Sequence, residues 1–258
     1  MSSPRASFTW WSFANRGVDA RALIAESAAL GYDGIEMAEE EWWPVIAEAG
    51  LAIASHRGHG TLEDGLNNPT NHDRIEQEIL ANIALAQQWG KPTLIVFSGN
   101  ARGLSAEAGI QNTVQGLSRV ARAAEEAGVT LALELLNSLV DHPDYQCDRT
   151  TWGLSVIEQV ASPAVRLLYD VYHMQIMEGD IMRTIETHHQ AFGHYHVAGN
   201  PGRHEPDLTQ ELWYPAIYAA IARTGYTGWV GMEYIPKADP IASLQASLAT
   251  FRESVAAV

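Results

Sequence analysis

The chain has one cysteine, Cys147, among 258 residues. No internal disulfide can form, and a CxxC-type metal site is excluded. Bases are also scarce: 16 Lys and Arg stand against 31 Asp and Glu, a formal charge of −15. Such a surface repels phosphate backbones and anionic membranes, so neither nucleic acid nor membrane is expected as a partner. No apolar run approaches the roughly 20 residues that span a bilayer. The stretch from Met1 to Ser7 has no apolar core after Arg5, so no secretory signal is expected. Together these absences point to a cytoplasmic protein. No GxGxxG follows the first β-rich run, which argues against a dinucleotide-binding fold. The lack of a P-loop-like run favours an unphosphorylated substrate.

What is present is enough apolar material, 47% of the chain, for one large core. Short β-rich runs alternate with helical stretches from end to end. Expected strands are Ser7–Phe13, Gly34–Ala38, Leu51–His56, Thr93–Ser98, Thr130–Leu136, Val165–Tyr172, Phe192–Ala198 and Trp229–Ile235. Between and after them lie expected helices over Asp19–Leu30, Trp42–Ala49, Asp73–Trp89, Ala106–Ala127, Thr150–Ala161, Asp180–Gln190, Gln210–Thr224 and Ile241–Val255. Asp19 and Thr150 read as N-caps and Gly31 as a stop. Eight strand–helix pairs without a linker predict a single (β/α)8 TIM barrel domain over residues 1–258, with its active site among the loops after the strands.

Polar residues interrupt the apolar runs near the ends of strands five to eight. They are Glu134 in LALELLNS, Asp170 in LLYDVYH, His196 in GHYHVAG and Glu233 in VGMEYIP. Burying several unpaired carboxylates in one barrel is costly, and few Lys or Arg lie in these strands to compensate. One divalent cation held by three carboxylates and an imidazole resolves the cost. That donor set suits Mn²⁺ first, with Mg²⁺ or Co²⁺ as alternatives. His194 lies two residues before His196 on the same strand face and reads as a deeper residue.

The segments ELLNS, LLYDVYHMQIMEGD, HYHVAGNPGRHEPD and GMEYIP resemble the xylose-isomerase-like TIM-barrel superfamily of sugar isomerases and epimerases. Within it the chain looks nearest to the hydroxypyruvate isomerase family. The resemblance covers nearly the whole chain and is densest from Thr130 to Pro236. It implies that Glu134, Asp170, His196 and Glu233 bind the metal and that Glu134 and Glu233 serve as the catalytic acid/base pair. Hydroxypyruvate isomerases tend to have Gln where this chain has His196, whereas the ketose epimerases have His. The chain therefore joins an isomerase-like PGRHEPD loop to an epimerase-like ligand set.

Such a site would remove a proton beside a metal-polarised carbonyl and stabilise the enediolate. Returning the proton to the neighbouring carbon isomerises the substrate, and returning it to the opposite face epimerises it. Expelling a β-substituent would instead make a lyase or dehydratase of a keto-sugar, keto-glycoside or keto-inositol. The substrate class is a small sugar or hydroxy-keto acid. By resemblance, His173 would hydrogen-bond a substrate oxygen. Arg203 could bind a substrate oxygen or carboxylate, or simply pair with Glu205, and His56 could reach the substrate from the far side.

Other residues carry blander expectations. Glu178 reads as solvated, or as steadying its loop. Trp10, Trp11, Trp42 and Trp43 read mainly as packing, with a sugar-facing platform as the alternative. Asp141, His142 and Asp144 read as a lid before a second metal site. Two rivals from other classes share the barrel: an abasic-site endonuclease, disfavoured by the charge, and a silent sugar-binding barrel. Barrels of this group often pair, so a homo-oligomer is among the expectations.

Overall fold

The structure is a computed structural model, and it describes residues 3–14 and 16–258. Met1 and Ser2 of the N-terminal expectation lie outside them. Eight parallel strands close a barrel in chain order: β1 Arg5–Thr9, β2 Gly34–Glu36, β3 Ala52–Arg57, β4 Thr93–Val96, β5 Leu131–Glu134, β6 Val165–Asp170, β7 Phe192–Val197 and β8 Trp229–Met232. The fold is the expected (β/α)8 TIM barrel. Among the described residues, no helix is long and apolar enough to cross a membrane.

Backbone contacts group the chain into two compact units. The first comprises Met1–Ala54, Asp180–His189 and Tyr195–Val258. Its sheet register places Ser7 of β1 beside Gly34 of β2 and Gly231 of β8, and His196 of β7 beside the same Gly231. Edge-to-face aromatic contacts fill its core, linking Phe13 to Phe8 at 5.4 Å and to Tyr234 at 5.1 Å. The Tyr234 hydroxyl lies 2.9 and 2.7 Å from those of Ser243 and Ser247 on the helix Pro240–Ala256.

The second unit comprises Ser55–Gly179 and Gln190–His194. In it β4, β5 and β6 pair in register, Val96 with Leu133 and Glu134 with Leu168. The helix His72–Gln88 buries His72, Ile75, Ile79, Ile83 and Ala86, a spacing of three and four that lays one stripe on the sheet.

Several expected boundaries shift for local reasons. The first strand stops at Thr9, and Trp10–Phe13 turns into a short helix. The expected Ala106–Ala127 helix is two helices, Ala106–Ser118 and Ala121–Ala127, broken at Arg119 and Val120. Strand six ends at Asp170, whose carboxylate accepts from the His173 amide and caps a helix over Val171–Met177. Asp19 caps Ala20–Leu30 as expected, and Gly31 ends it with φ 93°. Thr150 is the first helical residue rather than the cap, and its amide is satisfied from a distance by Glu178.

Candidate active site

The expected ligands sit at the strand C-termini because each is the polar residue that ends an apolar run. Glu134 closes β5, Asp170 closes β6, His196 is next to last in β7, and Glu233 follows β8. All four are buried, with exposures of 5, 1, 0 and 6%. Each offers one ligand atom, and these atoms lie within 4.8 Å of one another. Ligands about 2.0–2.6 Å from a divalent ion lie up to roughly 4–5 Å apart across it, so the group can hold a metal ion.

In the first unit, Glu36 closes β2 and is fully buried. Its Oε1 accepts from the Ser7 hydroxyl at 2.5 Å, and its Oε2 lies 3.1 Å from His196 Nε2. His196 therefore donates from Nε2 to a carboxylate and turns Nδ1 toward Glu233, whose Oε2 is 3.3 Å away. An imidazole with one nitrogen held by a carboxylate and the other turned toward carboxylates is the arrangement metal-binding histidines adopt. Glu233 is oriented by two further donors: Arg203 reaches Oε2 at 2.5 Å and Trp11 Nε1 reaches Oε1 at 3.3 Å. The Arg203 guanidinium also lies 5.3 Å from the centre of the Trp11 ring.

Arg203 thus pairs with Glu233 and not with Glu205, which accepts instead from the Lys237 amide and the Ser243 hydroxyl. Trp11 is 42% exposed, whereas Trp10 and Trp43 are buried packing residues. Trp42 is half-buried, its ring centre 5.6 Å from that of Trp10.

In the second unit, Asp170 holds the His173 amide with Oδ1, and its Oδ2 lies 3.6 Å from His173 Nε2. His173 is fully buried and carries Asn137 Nδ2 at 2.6 Å on Nδ1. Asn137 also donates to Asp141, which accepts from the Tyr172 hydroxyl at 2.9 Å. His142 packs its ring 5.3 Å from that of His173. Within this unit, Asp141 and His142 thus lie against His173 and its amide partner, whereas Asp144 accepts from the Arg102 amide at 2.8 Å. Tyr145 donates to the backbone carbonyl of Glu134 at 2.9 Å and fixes the end of β5.

His56 lies inside β3, and desolvation first, with the Arg57 charge second, lowers its pKa to about 4. It is a neutral imidazole at pH 7, and it is absent from the ligand group. Glu178 is exposed yet structural: it accepts from the Thr150 amide at 2.8 Å and hydroxyl at 2.6 Å, capping Thr150–Val160. His194 is fully buried on β7.

Sequence reasoning missed Glu36 and Asn137, and it named Trp11 without its bond to Glu233. Glu36 carried the same signal as the four ligands, an acid closing an apolar strand. It was hidden by a three-residue strand and the acidic run Glu39–Glu41 just beyond.

These features agree with what comparison finds. The xylose isomerase-like TIM barrel family matches residues 24–254. The chain belongs to this family. Its relatives include a 2-oxo-tetronate isomerase of Cupriavidus necator, 37% identical over 131 residues, covering 51% of this chain and 50% of that protein. The match thus spans about half the length of that relative. A putative hydroxypyruvate isomerase of Xenopus laevis is 34% identical over 241 residues, 86% of each chain. Among solved structures, an AP endonuclease of family 2 from Brucella melitensis superposes with a TM-score of 0.81. It is 26% identical and covers 95% of this chain and 97% of that one.

Proposed function

We propose that the chain is a divalent-metal-dependent isomerase or epimerase of a small, unphosphorylated hydroxy-carbonyl compound, of the hydroxypyruvate isomerase type. The observation that carries this reading is the buried group of Glu134, Asp170, His196 and Glu233, with ligand atoms within 4.8 Å of one another at the strand ends. The relatives named as hydroxypyruvate and 2-oxo-tetronate isomerases support the substrate class. Those four residues would hold the ion, most readily Mn²⁺, with Mg²⁺ or Co²⁺ also suited to the donors. When bound, a divalent cation supplies Lewis acidity that acidifies the C–H beside a substrate carbonyl.

The remaining work falls to the chain. Glu134 and Glu233 are the acid/base pair: one carboxylate removes the proton and one returns it. Trp11 and Arg203 fix the Glu233 carboxylate at both oxygens, which sets the direction in which it can take a proton. Arg203 is also the cation nearest to hand for a substrate oxygen or carboxylate, and His173 binds a substrate oxygen beside Asp170. His56 would meet the substrate from the far side as a neutral imidazole. The net charge of −15 supports a small-molecule substrate over nucleic acid despite the likeness to a protein titled an endonuclease.

The test is proton exchange in D₂O followed by NMR. Metal-stripped protein is reloaded with Mg²⁺ and offered hydroxypyruvate, tartronate semialdehyde and common ketoses. Metal-dependent deuterium uptake beside the carbonyl, abolished in Glu233→Gln, is expected. Tight metal binding with no exchange in any of these compounds would overturn the isomerase reading.

A further inference from the structure

Asn137 begins the loop after β5, and every polar atom of its side chain is committed. Its Oδ1 accepts from the Val140 and Asp141 amides, both at 2.9 Å. Its Nδ2 donates to Asp141 Oδ2 at 2.6 Å. Rotating the amide by half a turn would set an oxygen against that carboxylate and an NH₂ group against two backbone N–H groups. The orientation of the amide is therefore fixed by three partners independent of His173.

The same Nδ2 lies 2.6 Å from His173 Nδ1. An NH₂ group can only donate, so Nδ1 must accept, and a proton there would place two donors against each other. Flipping the imidazole would leave a C–H at that distance and no acceptor for the amide. The single ring proton then resides on Nε2, on the side of the Asp170 carboxylate 3.6 Å away. His173 and Asn137 are both fully buried, so water does not rescue another tautomer.

We propose that Asn137 is a positioning residue that locks His173 as a neutral donor from Nε2, so that the substrate oxygen it meets is one that accepts a hydrogen bond, as a carbonyl or enediolate oxygen does, and not a hydroxyl donating its proton. This rests on the proposed enediolate chemistry for its consequence, but not for the tautomer itself. A preset neutral donor strengthens its bond as negative charge develops on the substrate oxygen and needs no reorganisation at that moment. The lock also reaches outward, since Asp141 is held in turn by the Tyr172 hydroxyl at 2.9 Å.

The experiment is long-range proton–nitrogen correlation NMR on the ¹⁵N-labelled full chain at neutral pH, without metal and with Mg²⁺. His173 is assigned by the signals lost in His173→Gln. A pyridine-type Nδ1 and a pyrrole-type Nε2 are expected in both states, becoming a mixture of tautomers in Asn137→Ala. A pyrrole-type Nδ1 in the parent chain, or an unchanged pattern in Asn137→Ala, would overturn the proposal. In the exchange assay with hydroxypyruvate, Asn137→Ala should lower kcat by about 10- to 100-fold with KM changed much less. A fall in melting temperature with kcat preserved would make Asn137 merely structural. If the parent chain exchanges no proton in hydroxypyruvate or the other carbonyl compounds, the function proposed above fails, and the NMR result still decides the tautomer.

Discussion

Gly231 of β8 is the most informative single position to perturb. It lies in register with Ser7 on one side and His196 on the other. A methyl group added there would sit 2.2 Å from Glu36 Oε1 and 2.8 Å from His196 Cδ2. Ordinary contact needs about 3.5 Å, so Gly231→Ala must push the Glu36 carboxylate by roughly 1 Å. That breaks the 2.5 Å bond from Ser7 and the 3.1 Å contact to His196 Nε2 in a fully buried setting. Overpacking costs about 1–3 kcal/mol, and a buried hydrogen bond to a charged group about 1.5–3 kcal/mol. A loss on the order of 3 kcal/mol corresponds to a fall in Tm of roughly 10 °C for a chain of this size. If His196 is the metal ligand proposed above, loosening the carboxylate that orients it should weaken metal affinity by about 10- to 100-fold. Thermal melts and competition titrations with Mn²⁺ read the two effects separately. Gly60→Ala is the control, because a Cβ there meets nothing closer than 3.6 Å. If Gly231→Ala melts within about 2 °C of the parent and binds Mn²⁺ equally well, the reasoning about Glu36 is wrong.

Two further expectations concern stability. His59 is 1% exposed, accepts from the Phe97 amide at 3.0 Å, and has its pKa lowered to about 4, first by desolvation and then by the Arg74 charge against an opposing Glu78. The unfolded chain binds this proton near pH 6.5 and the folded chain only near 4, so the stabilisation is complete above 6.5 and is lost as pH falls toward 4. About 3 kcal/mol should disappear over that window in urea titrations, and the slope should flatten in His59→Gln. A His59 proton resonance that titrates near 6.5 would refute this. Glu178→Ala removes both bonds to Thr150 and should cost about 1 kcal/mol, read as a Tm lower by roughly 2–4 °C. An unchanged Tm would show that water replaces the cap.

The barrel was legible because β-rich and helical runs alternate eight times, and because Glu134, Asp170, His196 and Glu233 each break an apolar stretch. Boundaries were less so. Trp10–Phe13 has strand-like composition but turns helical, since tertiary packing of Trp10 and Phe13 overrides propensity. The distant cap on Thr150 could not be read, because Glu178 lies 28 residues away and only the fold brings it there. Partners such as Asn137 and Trp11 escape for the same reason: amides and indoles are common in loops, and their bonds to His173 and Glu233 join segments far apart in sequence.

The loop that begins at Asn137 also sets rules for redesigning this barrel. Leu139 and Val140 expose 66 and 63% of their surface, so their side chains can be varied widely in a library. The backbone beneath them cannot. Proline at 140 would delete the amide that donates to Asn137, and a deletion would pull Asp141 away from the Asn137 amide and from Tyr172. A graft of this loop from a related barrel would therefore have to carry the residues corresponding to Asn137 and Asp141 with it, while residues 139 and 140 remain open ground for new contacts.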